Sequence, residues 1–546
     1  MEHLALTRGE SRELLSSLDL EIGDWADEIH EKAEGWPAAL YLAGLAIRDG
    51  GEVPITELSF DGGDRVVVEY FRDELFHGMA EAKAQFLYRT SILEELDGPI
   101  CDALTGRTDS ALMLEELSLE NALVVPLDRG RTRFRYHHLF ADMLRSELRR
   151  REPEAEPELH HRAARALAAR CEIPAATDHA IASGDFEFAG ALIWLDIADT
   201  TGRGRTATLE RWFELIGIAQ VEKIPALILT RAHYSIVTGE SAQAYYWLGI
   251  AEREIQPGSP TYGDLMMLRT TVGPDGPAQM LADAEMASEL LDPTNTWHAV
   301  INLYRGIALF LEEEDGAEEL FRTNARETIN VSPLMHALAL SQLALTEVER
   351  DRIDEAHIHI TRAREQVERS GLGSVKVMVL VFAVLAKVQA RRGRAAEAAD
   401  TLEFVMRSSD GMEDFLGWYE SEVLLISCRT MLRIGQHDRA VALASRAEEV
   451  VARMGSPARL VRWIEEIRQA LQMPRADALN LTKAELRTLQ FLPSHHSFRA
   501  IGEQLFLSQN TVKTQANSLY RKLGVNSRAE AVMEGRRLGL IEGEPS

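Results

Sequence analysis

Between Ser508 and Gly524 the chain reads Ser-Gln-Asn-Thr-Val-Lys-Thr-Gln-Ala-Asn-Ser-Leu-Tyr-Arg-Lys-Leu-Gly. Taken as a helix over Gln509 to Leu523, its apolar residues Val512, Ala516, Leu519 and Leu523 fall at i, i+4, i+7 and i+11, a single stripe for a core. The opposite face carries Asn510, Lys513, Thr514, Asn517 and Arg521, with Lys522 beside it and no acid anywhere in the helix. Lysine and asparagine side chains hydrogen-bond base edges, while a helix N-terminus and hydroxyls hold phosphates. A basic polar face alone is an ordinary solvated surface. The elements before it decide whether it does chemistry.

Those elements fit. Thr482-Lys483-Ala484-Glu485 is a capping box that opens a helix burying Leu486, Leu489 and Leu492. After a break at Pro493-Ser494-His495-His496-Ser497, a short helix carries Ile501 and Leu505 on one face and ends at Phe506-Leu507. Ser508 caps the basic helix, and Gly524 supplies the left-handed residue that ends it. A short helix, a tight turn and a second helix bearing amides and cations is the arrangement that a DNA major groove accepts.

The charge of the whole chain argues the other way until it is divided. Its 546 residues hold 86 Asp and Glu against 59 Lys and Arg, a net of −27, which is wrong for a protein that displaces counterions along its length. Residues 481–546 hold 9 Lys and Arg against 6 acids, so the tail is +3 and the remaining 480 residues are −30. Cys101, Cys171 and Cys428 lie too far apart for a zinc pattern and are too few for a disulfide scaffold; they are expected as core thiols in a reducing cytoplasm. The longest apolar run, Val377 to Ala386, is ten residues, against about 20 for a membrane span. No metal site or cofactor is expected.

The body reads as mainly α. Residues 1–62 are helices separated by turns, with Gly35-Trp36-Pro37 opening the apolar run Ala38 to Leu42. Residues 63–150 mix helices, one of them led by Val66-Val67-Val68, with a hairpin: Leu123 to Leu127 and Phe134 to Tyr136 flank Asp128-Arg129-Gly130. Helices plus one hairpin suggest a winged helix. Residues 151–159, rich in acids and holding Pro153 and Pro157, read as a linker. From 160 to 475 a TPR-like helix hairpin recurs, marked by Ala244, Ala278, Ala317, Ala356, Ala398 and Ala440 at spacings of 34, 39, 39, 42 and 42. Such units stack into a superhelix whose concave face either binds a ligand or merely spaces the ends. Residues 478–546 form the DNA reader.

Leu481-Thr482-x-x-Glu485, Ile501-Gly502-Glu503-Gln504-Leu505-Phe506-Leu507-Ser508, Asn510-Thr511-Val512-Lys513-Thr514, Tyr520-Arg521-Lys522-Leu523-Gly524-Val525 and Ser527-Arg528-x-Glu530-Ala531-Val532 resemble the LuxR-type helix-turn-helix along its whole length. The resemblance implies that Lys513, Thr514 and Asn517 face bases, that Ser508, Thr511 and Arg521 lie near phosphates, and that Ala529 to Leu538 forms a dimer face. Two positions depart from the pattern: Gly502 replaces the usual alanine, at a helix-propensity cost of up to about 1 kcal/mol, and Gln515 stands where histidine is frequent. Upstream, Gly35-Trp36-Pro37-x-Ala39-Leu40, Phe86 to Leu93, Leu123 to Leu127 and Phe134-Arg135-Tyr136-His137-His138-Leu139-Phe140 are similar to the large MalT-like regulators of the LuxR family. These join a nucleotide-binding core, a winged helix, a helical-repeat sensor and a DNA reader. The resemblance places Gly35 and Pro37 beside an adenine and His137 or His138 near phosphates.

No Gly-x-x-x-x-Gly-Lys-Ser/Thr occurs in the chain, nor an apolar run ending in paired acids, so nothing cradles a triphosphate or its magnesium. The expectation is a chain that begins after the nucleotide-binding core, does not hydrolyse ATP by itself, and keeps Gly35, Pro37 and His137 in packing roles or residual nucleotide contact. No other catalytic pattern is present and an enzyme is not expected. The preferred reading is a transcriptional regulator that binds double-stranded promoter DNA as a homodimer, senses a small molecule or protein at its repeats, and has RNA polymerase as a candidate further partner. The alternatives are a helical-repeat scaffold with a vestigial reader, and a truncated or mis-started ATP-dependent regulator.

Overall fold

The computed structural model describes residues 5–49 (19, 21 and 24 apart), 76, 79–120, 123–202, 205–409, 415–472, 481–493, 496–505, 507–537 and 540–541. Val66-Val67-Val68 and the 475/478 boundary lie outside them. The chain divides into two compact units, residues 1–198 with 205–231 and residues 199–204 with 232–546.

The first unit begins with α1 (Arg8–Ser16), α2 (Trp25–Lys32) and α3 (Pro37–Asp49), followed by α4 (Glu81–Thr90), β1 (Leu96–Asp97), α5 (Gly98–Thr105), α6 (Ser110–Glu120), β2 (Val124–Pro126), β3 (Arg133–Tyr136) and α7 (His138–Arg151). The predicted hairpin forms: Val124 pairs with Tyr136 and Pro126 with Phe134, antiparallel. A third strand, too short to read from alternation, pairs Leu96 with Phe134 on the other side of β3. Beneath this sheet Phe86, Leu87, Phe134, Tyr136 and Phe140 are buried, and the Tyr136 hydroxyl lies 2.6 Å from that of Thr90. The core continues without a break from Ile29, Ala33 and Leu40 through the winged helix to Ala163 and Leu192. The expected boundary at 62/63 lies outside the described residues.

The expected linker at 151–159 is mostly helix. After α7 the chain turns through Glu152 to Glu154, and α8 (Ala155–Ala169) takes in both Glu156 and Pro157. Proline is accepted in a first turn, where no intrahelical bond needs its missing N–H, and acids there oppose the positive end of the helix dipole. Arg149 on α7 grips Glu156 at 2.9 Å, so a segment that reads as flexible is a corner pinned on both sides. Next come α9 (Ile173–Ser183), α10 (Phe186–Gly202), α11 (Thr206–Ile216), α12 (Ile218–Val221) and α13 (Pro225–Thr238).

The second unit is an array of hairpins built from α14 (Ser241–Glu254), α15 (Tyr262–Val272), α16 (Pro277–Leu290), α17 (His298–Glu312), α18 (Ala317–Thr328), α19 (Pro333–Glu349), α20 (Ile353–Arg369), α21 (Val379–Arg391), α22 (Ala395–Ser408), α23 (Gly417–Arg433), α24 (His437–Arg453) and α25 (Ala458–Gln472). Ala244, Ala356, Ala398 and Ala440 are fully buried, each the fourth residue of its helix, as the repeat predicts. Ala278 is not: it is exposed, and Met280 takes the buried fourth position of α16. The larger side chain fits because the facing helix ends in Gly273, where an added Cβ would come within 2.7 Å of the Met280 sulfur. In the next hairpin Ala317 is itself buried, as the first residue of α18, and Phe321 packs where a Cβ on Gly306 would meet it at 2.7 Å. The rule of a small residue at the contact holds, but the small residue changes helix.

The array also curls back on itself. The Trp418 indole at the start of α23 donates to the Thr271 carbonyl at the end of α15, 3.1 Å away, and its ring meets Tyr304 of α17 edge-on at 5.6 Å. Helix α25 packs against α17, where the Trp463 ring lies edge-on to Phe310 at 6.2 Å. Buried aromatic side chains fill this contact, and their removal from water offsets the ordering of the coil.

Candidate nucleic-acid interface

The C-terminal segment has its own core. Helices α26 (Lys483–Phe491), α27 (Phe498–Leu505), α28 (Gln509–Leu523) and α29 (Arg528–Arg537) enclose Leu489, Leu492, Ile501, Leu505, Val512, Leu519, Leu523 and Ala531. All four stripe residues of α28 are buried, Ala516 included. The break at Pro493–Ser497 is present between α26 and α27, with Ser494, His495 and also Phe506 outside the described residues.

The capping box forms and does more than cap. Glu485 accepts from the Thr482 amide at 2.7 Å and hydroxyl at 2.9 Å, and also from the Lys522 ammonium at 2.7 Å across the fold. Against the upward push of burial, hydrogen bonds from Lys522, Ser518 and Thr482 hold its carboxyl down to about 2. Glu485 is therefore buried where Leu486 was expected to be, and Leu486 is only half-buried. A second cross-tie runs from the Thr488 hydroxyl to Gln515 at 2.7 Å. Arg528 donates to the carbonyls of Leu492 at 2.9 Å and His496 at 2.7 Å, fixing the chain between α26 and α27. These ties set α28 rigidly on its support.

The sequence-predicted DNA residues sort into two sets. Asn510, Lys513, Thr514, Asn517 and Arg521 are exposed on one face of α28. Ser508 is the N-cap, its hydroxyl accepting from the Thr511 amide at 3.1 Å and lying 2.7 Å from the Thr511 hydroxyl. The Thr514 hydroxyl donates to the Asn510 carbonyl at 2.9 Å, which leaves its lone pairs for an incoming donor. Lys522 differs. Its ammonium is drawn inward to Glu485, and its side chain is 24% exposed, so it braces the reader while its neighbours face solvent. The sequence gives no sign of this pairing, because the partners are 37 positions apart on different helices.

Gly502 also has a structural reason. A Cβ there would lie 2.6 Å from the Leu507 carbonyl oxygen, in the turn that the Leu507 amide closes back onto Gly502 at 2.8 Å. The loss of helix propensity accompanies a closer approach of turn to helix. At α29, Ser527 caps Glu530 and the Glu530 carboxylate accepts from the Asn526 amide at 2.8 Å. Ala529 and Met533 face outward, Met533 being 63% exposed, while Ala531 is buried; Leu538 lies outside the described residues.

In the first unit His137 lies against Ala33 and Trp36, the segment that also holds Gly35 and Pro37. Gly35 has φ +69°, and its carbonyl accepts from the Leu6 amide at 2.7 Å. Pro37 is the first residue of α3. His137 is buried, its Nε2 3.2 Å from the Ala33 carbonyl and its ring 5.6 Å from that of Trp36; burial pushes the imidazole below its ordinary value. His138 is exposed, with Nδ1 3.2 Å from a Glu34 carboxylate that Arg135 grips at 2.8 and 2.7 Å. One histidine is core and one is surface, as the adjacent aromatics suggest.

Comparison with known proteins agrees with this geometry at both ends. The family described as "MalT winged helix domain" matches residues 72–156, and that described as "Bacterial regulatory proteins, luxR family" matches residues 479–534. Serine/threonine-protein kinase PknK of Mycobacterium tuberculosis (strain H37Rv) is 29% identical over 241 residues, 44% of this chain and 20% of that protein. HTH-type transcriptional regulator MalT of Vibrio campbellii is 26% identical over 285 residues, 50% of this chain and 31% of its own. MalT of Yersinia pestis is 26% identical over 301 residues, 52% and 33%. The chain thus spans between a fifth and a third of the length of these curated relatives. Among the described residues no helix is long and apolar enough to cross a membrane. A winged helix of the MalT type and a C-terminal DNA-binding domain of the LuxR family, with helical repeats between them, give this chain the make-up of a MalT-like LuxR regulator.

Proposed function

We propose that the chain is a DNA-binding transcriptional regulator acting in the cytoplasm, whose reader docks α28 in the major groove of promoter DNA while the repeats take an effector. The observation that carries this is the acid-free outer face of α28 on a helix locked from behind. Lys513, Thr514 and Asn517 then reach base edges, and Ser508, Thr511 and Arg521 hold phosphates. Lys522 is placed behind the interface rather than in it. Exposed Ala529 and Met533 on α29 suit a homodimer contact that would set two readers on paired half-sites. The body, at −30, repels DNA and leaves only the reader to approach it. RNA polymerase is the natural further partner of a reader so placed.

Fluorescence anisotropy with fragments of the source genome, run as a salt titration, tests the reading. Lys513→Ala and Asn517→Ala are each expected to weaken binding by about 5- to 150-fold, and Lys513→Ala to flatten the salt dependence if its contact is a phosphate. Binding that ignores salt, or that both variants retain, refutes the assignment of α28.

A further inference from the structure

Between the buried stripe of α28 and its exposed face runs a third strip. Ser508, Thr511, Gln515, Ser518 and Lys522 follow one another at alternating intervals of three and four residues, which stacks them on one flank of the helix. Its two ends face opposite ways. Ser508 caps the helix beside Thr511, at the end that meets the DNA backbone in the proposed docking, while Ser518 and Lys522 turn inward to hydrogen-bond Glu485 of α26. Gln515 stands at the changeover.

Its side chain is held at one end. The carbonyl oxygen accepts from the Thr488 hydroxyl of α26 at 2.7 Å, and Thr488 is fully buried, so this bond fixes which way the amide points. With the oxygen turned inward, the nitrogen turns out. Nε2 meets no acceptor among the described residues, and it opens to solvent on a side chain that is only half-buried. A primary amide so oriented offers two N–H donors to whatever approaches the flank. Glu485, further along the strip, does not oppose an anion there: it accepts from Thr482, is neutralised by Lys522 at 2.7 Å, and is 6% exposed.

Phosphate oxygens accept from glutamine as they do from serine and threonine, and such contacts fix where a recognition helix lies without reading sequence. We propose that Gln515 donates to a phosphate of the DNA strand held by Ser508 and Thr511, and that Thr488, which does not touch the DNA, is the positioning residue that aims it. The proposal rests on the docking of α28 in the major groove. It turns a departure from the LuxR-type pattern into a backbone contact, made by a group that carries no titratable proton.

Fluorescence anisotropy of the full chain tests it with two labelled duplexes, the tightest-binding fragment of the source genome and a shuffled version of that fragment, each across a salt series. Gln515→Leu is expected to weaken binding to both duplexes by the same factor, about 3- to 10-fold, the loss of one exposed hydrogen bond that reads no base. The salt dependence should not change, since an amide displaces no counterion. Thr488→Val removes the aim but leaves the donor, and should cost only about 2-fold; Thr488→Ser, which restores the hydroxyl, should bind as the parent does. A tie that merely holds α28 in place would make Gln515→Leu and Thr488→Val equal, and that result overturns the contact. So does a loss confined to the genomic fragment, which would mean that Gln515 reads a base. Lys513→Ala in the same titrations keeps the two readings apart. If it weakens binding and Gln515→Leu does not, the docking of α28 stands and the Gln515 contact falls; if neither does, the docking itself fails.

Discussion

Glu485 is the residue on which the reader's stability turns most measurably. Its carboxyl is held down to about 2 from an ordinary value of 4.5, and each unit of depression corresponds to about 1.4 kcal/mol between the charged and neutral forms. Because the folded-state value is the lower one, this stabilisation is complete above about pH 5 and is lost as the pH falls toward 2. Working the two values through the linkage relation gives a loss of about 2 kcal/mol by pH 3, of a total of about 3. Solvent reaches Lys522 from one side, which brings the figure at pH 3 to about 1–2 kcal/mol. Urea unfolding of residues 478–546, followed by far-ultraviolet circular dichroism at pH 7, 5 and 3, measures it. Glu485→Gln should be less stable than the parent at pH 7 and lose much less than the parent between pH 5 and 3; Lys522→Met should show part of the same effect. A Gln variant whose stability falls with acid as steeply as the parent's would refute the reasoning, because the proton would then be taken up elsewhere.

Two further outcomes follow from the body. Glu422 of α23 is buried with one oxygen on the Gln342 amide at 2.9 Å and the other without a partner, and burial pushes its carboxyl up to about 7. A raised carboxylate value means that stability is full below about pH 4.5 and declines as the pH rises to 7, so Glu422→Gln should raise the thermal midpoint at pH 8, by the equivalent of up to about 3 kcal/mol, and change it little at pH 4.5; a variant less stable at both pH values contradicts this. Gly35→Ala forces an L-residue to φ +69° and a Cβ to within 2.5 Å of the Leu6 carbonyl oxygen, and is expected to destabilise the first unit by about 1–3 kcal/mol in thermal unfolding; an unchanged midpoint would mean that Leu6 moves aside freely.

What could be read from the chain alone depended on distance along it. Val512, Ala516, Leu519 and Leu523 are legible because helical spacing alone decides which side they face, and the caps at Thr482 and Ser508 are legible because donor and acceptor lie three residues apart. Lys522 misleads: on a helical wheel it borders the basic face, and only the fold brings Glu485 beneath it. Ala278 misleads for a related reason, since an alanine count cannot see that Gly273 on the facing helix makes room for Met280. The acidic double-proline stretch reads as a linker because composition weighs Pro157 and the glutamates as breakers, whereas position within the first turn makes them helix-compatible. The short strand at Leu96 and the contact of α25 with α17 depend on partners far along the chain and leave no local trace.

The reach of Trp418 back to Thr271 spans 147 residues, and it alters how the array should come apart. An open row of hairpins unfolds piecemeal, each unit held only by its neighbours, so its ends fray and its middle outlasts them. A coil whose later helices are bonded to its earlier ones has no such freedom: opening the seam exposes Trp418, Tyr304 and Phe310 together, and the hairpins between them melt as one. Such a unit should fold slowly, since its seam closes only after the intervening chain is in place, and should unfold in a single sharp step.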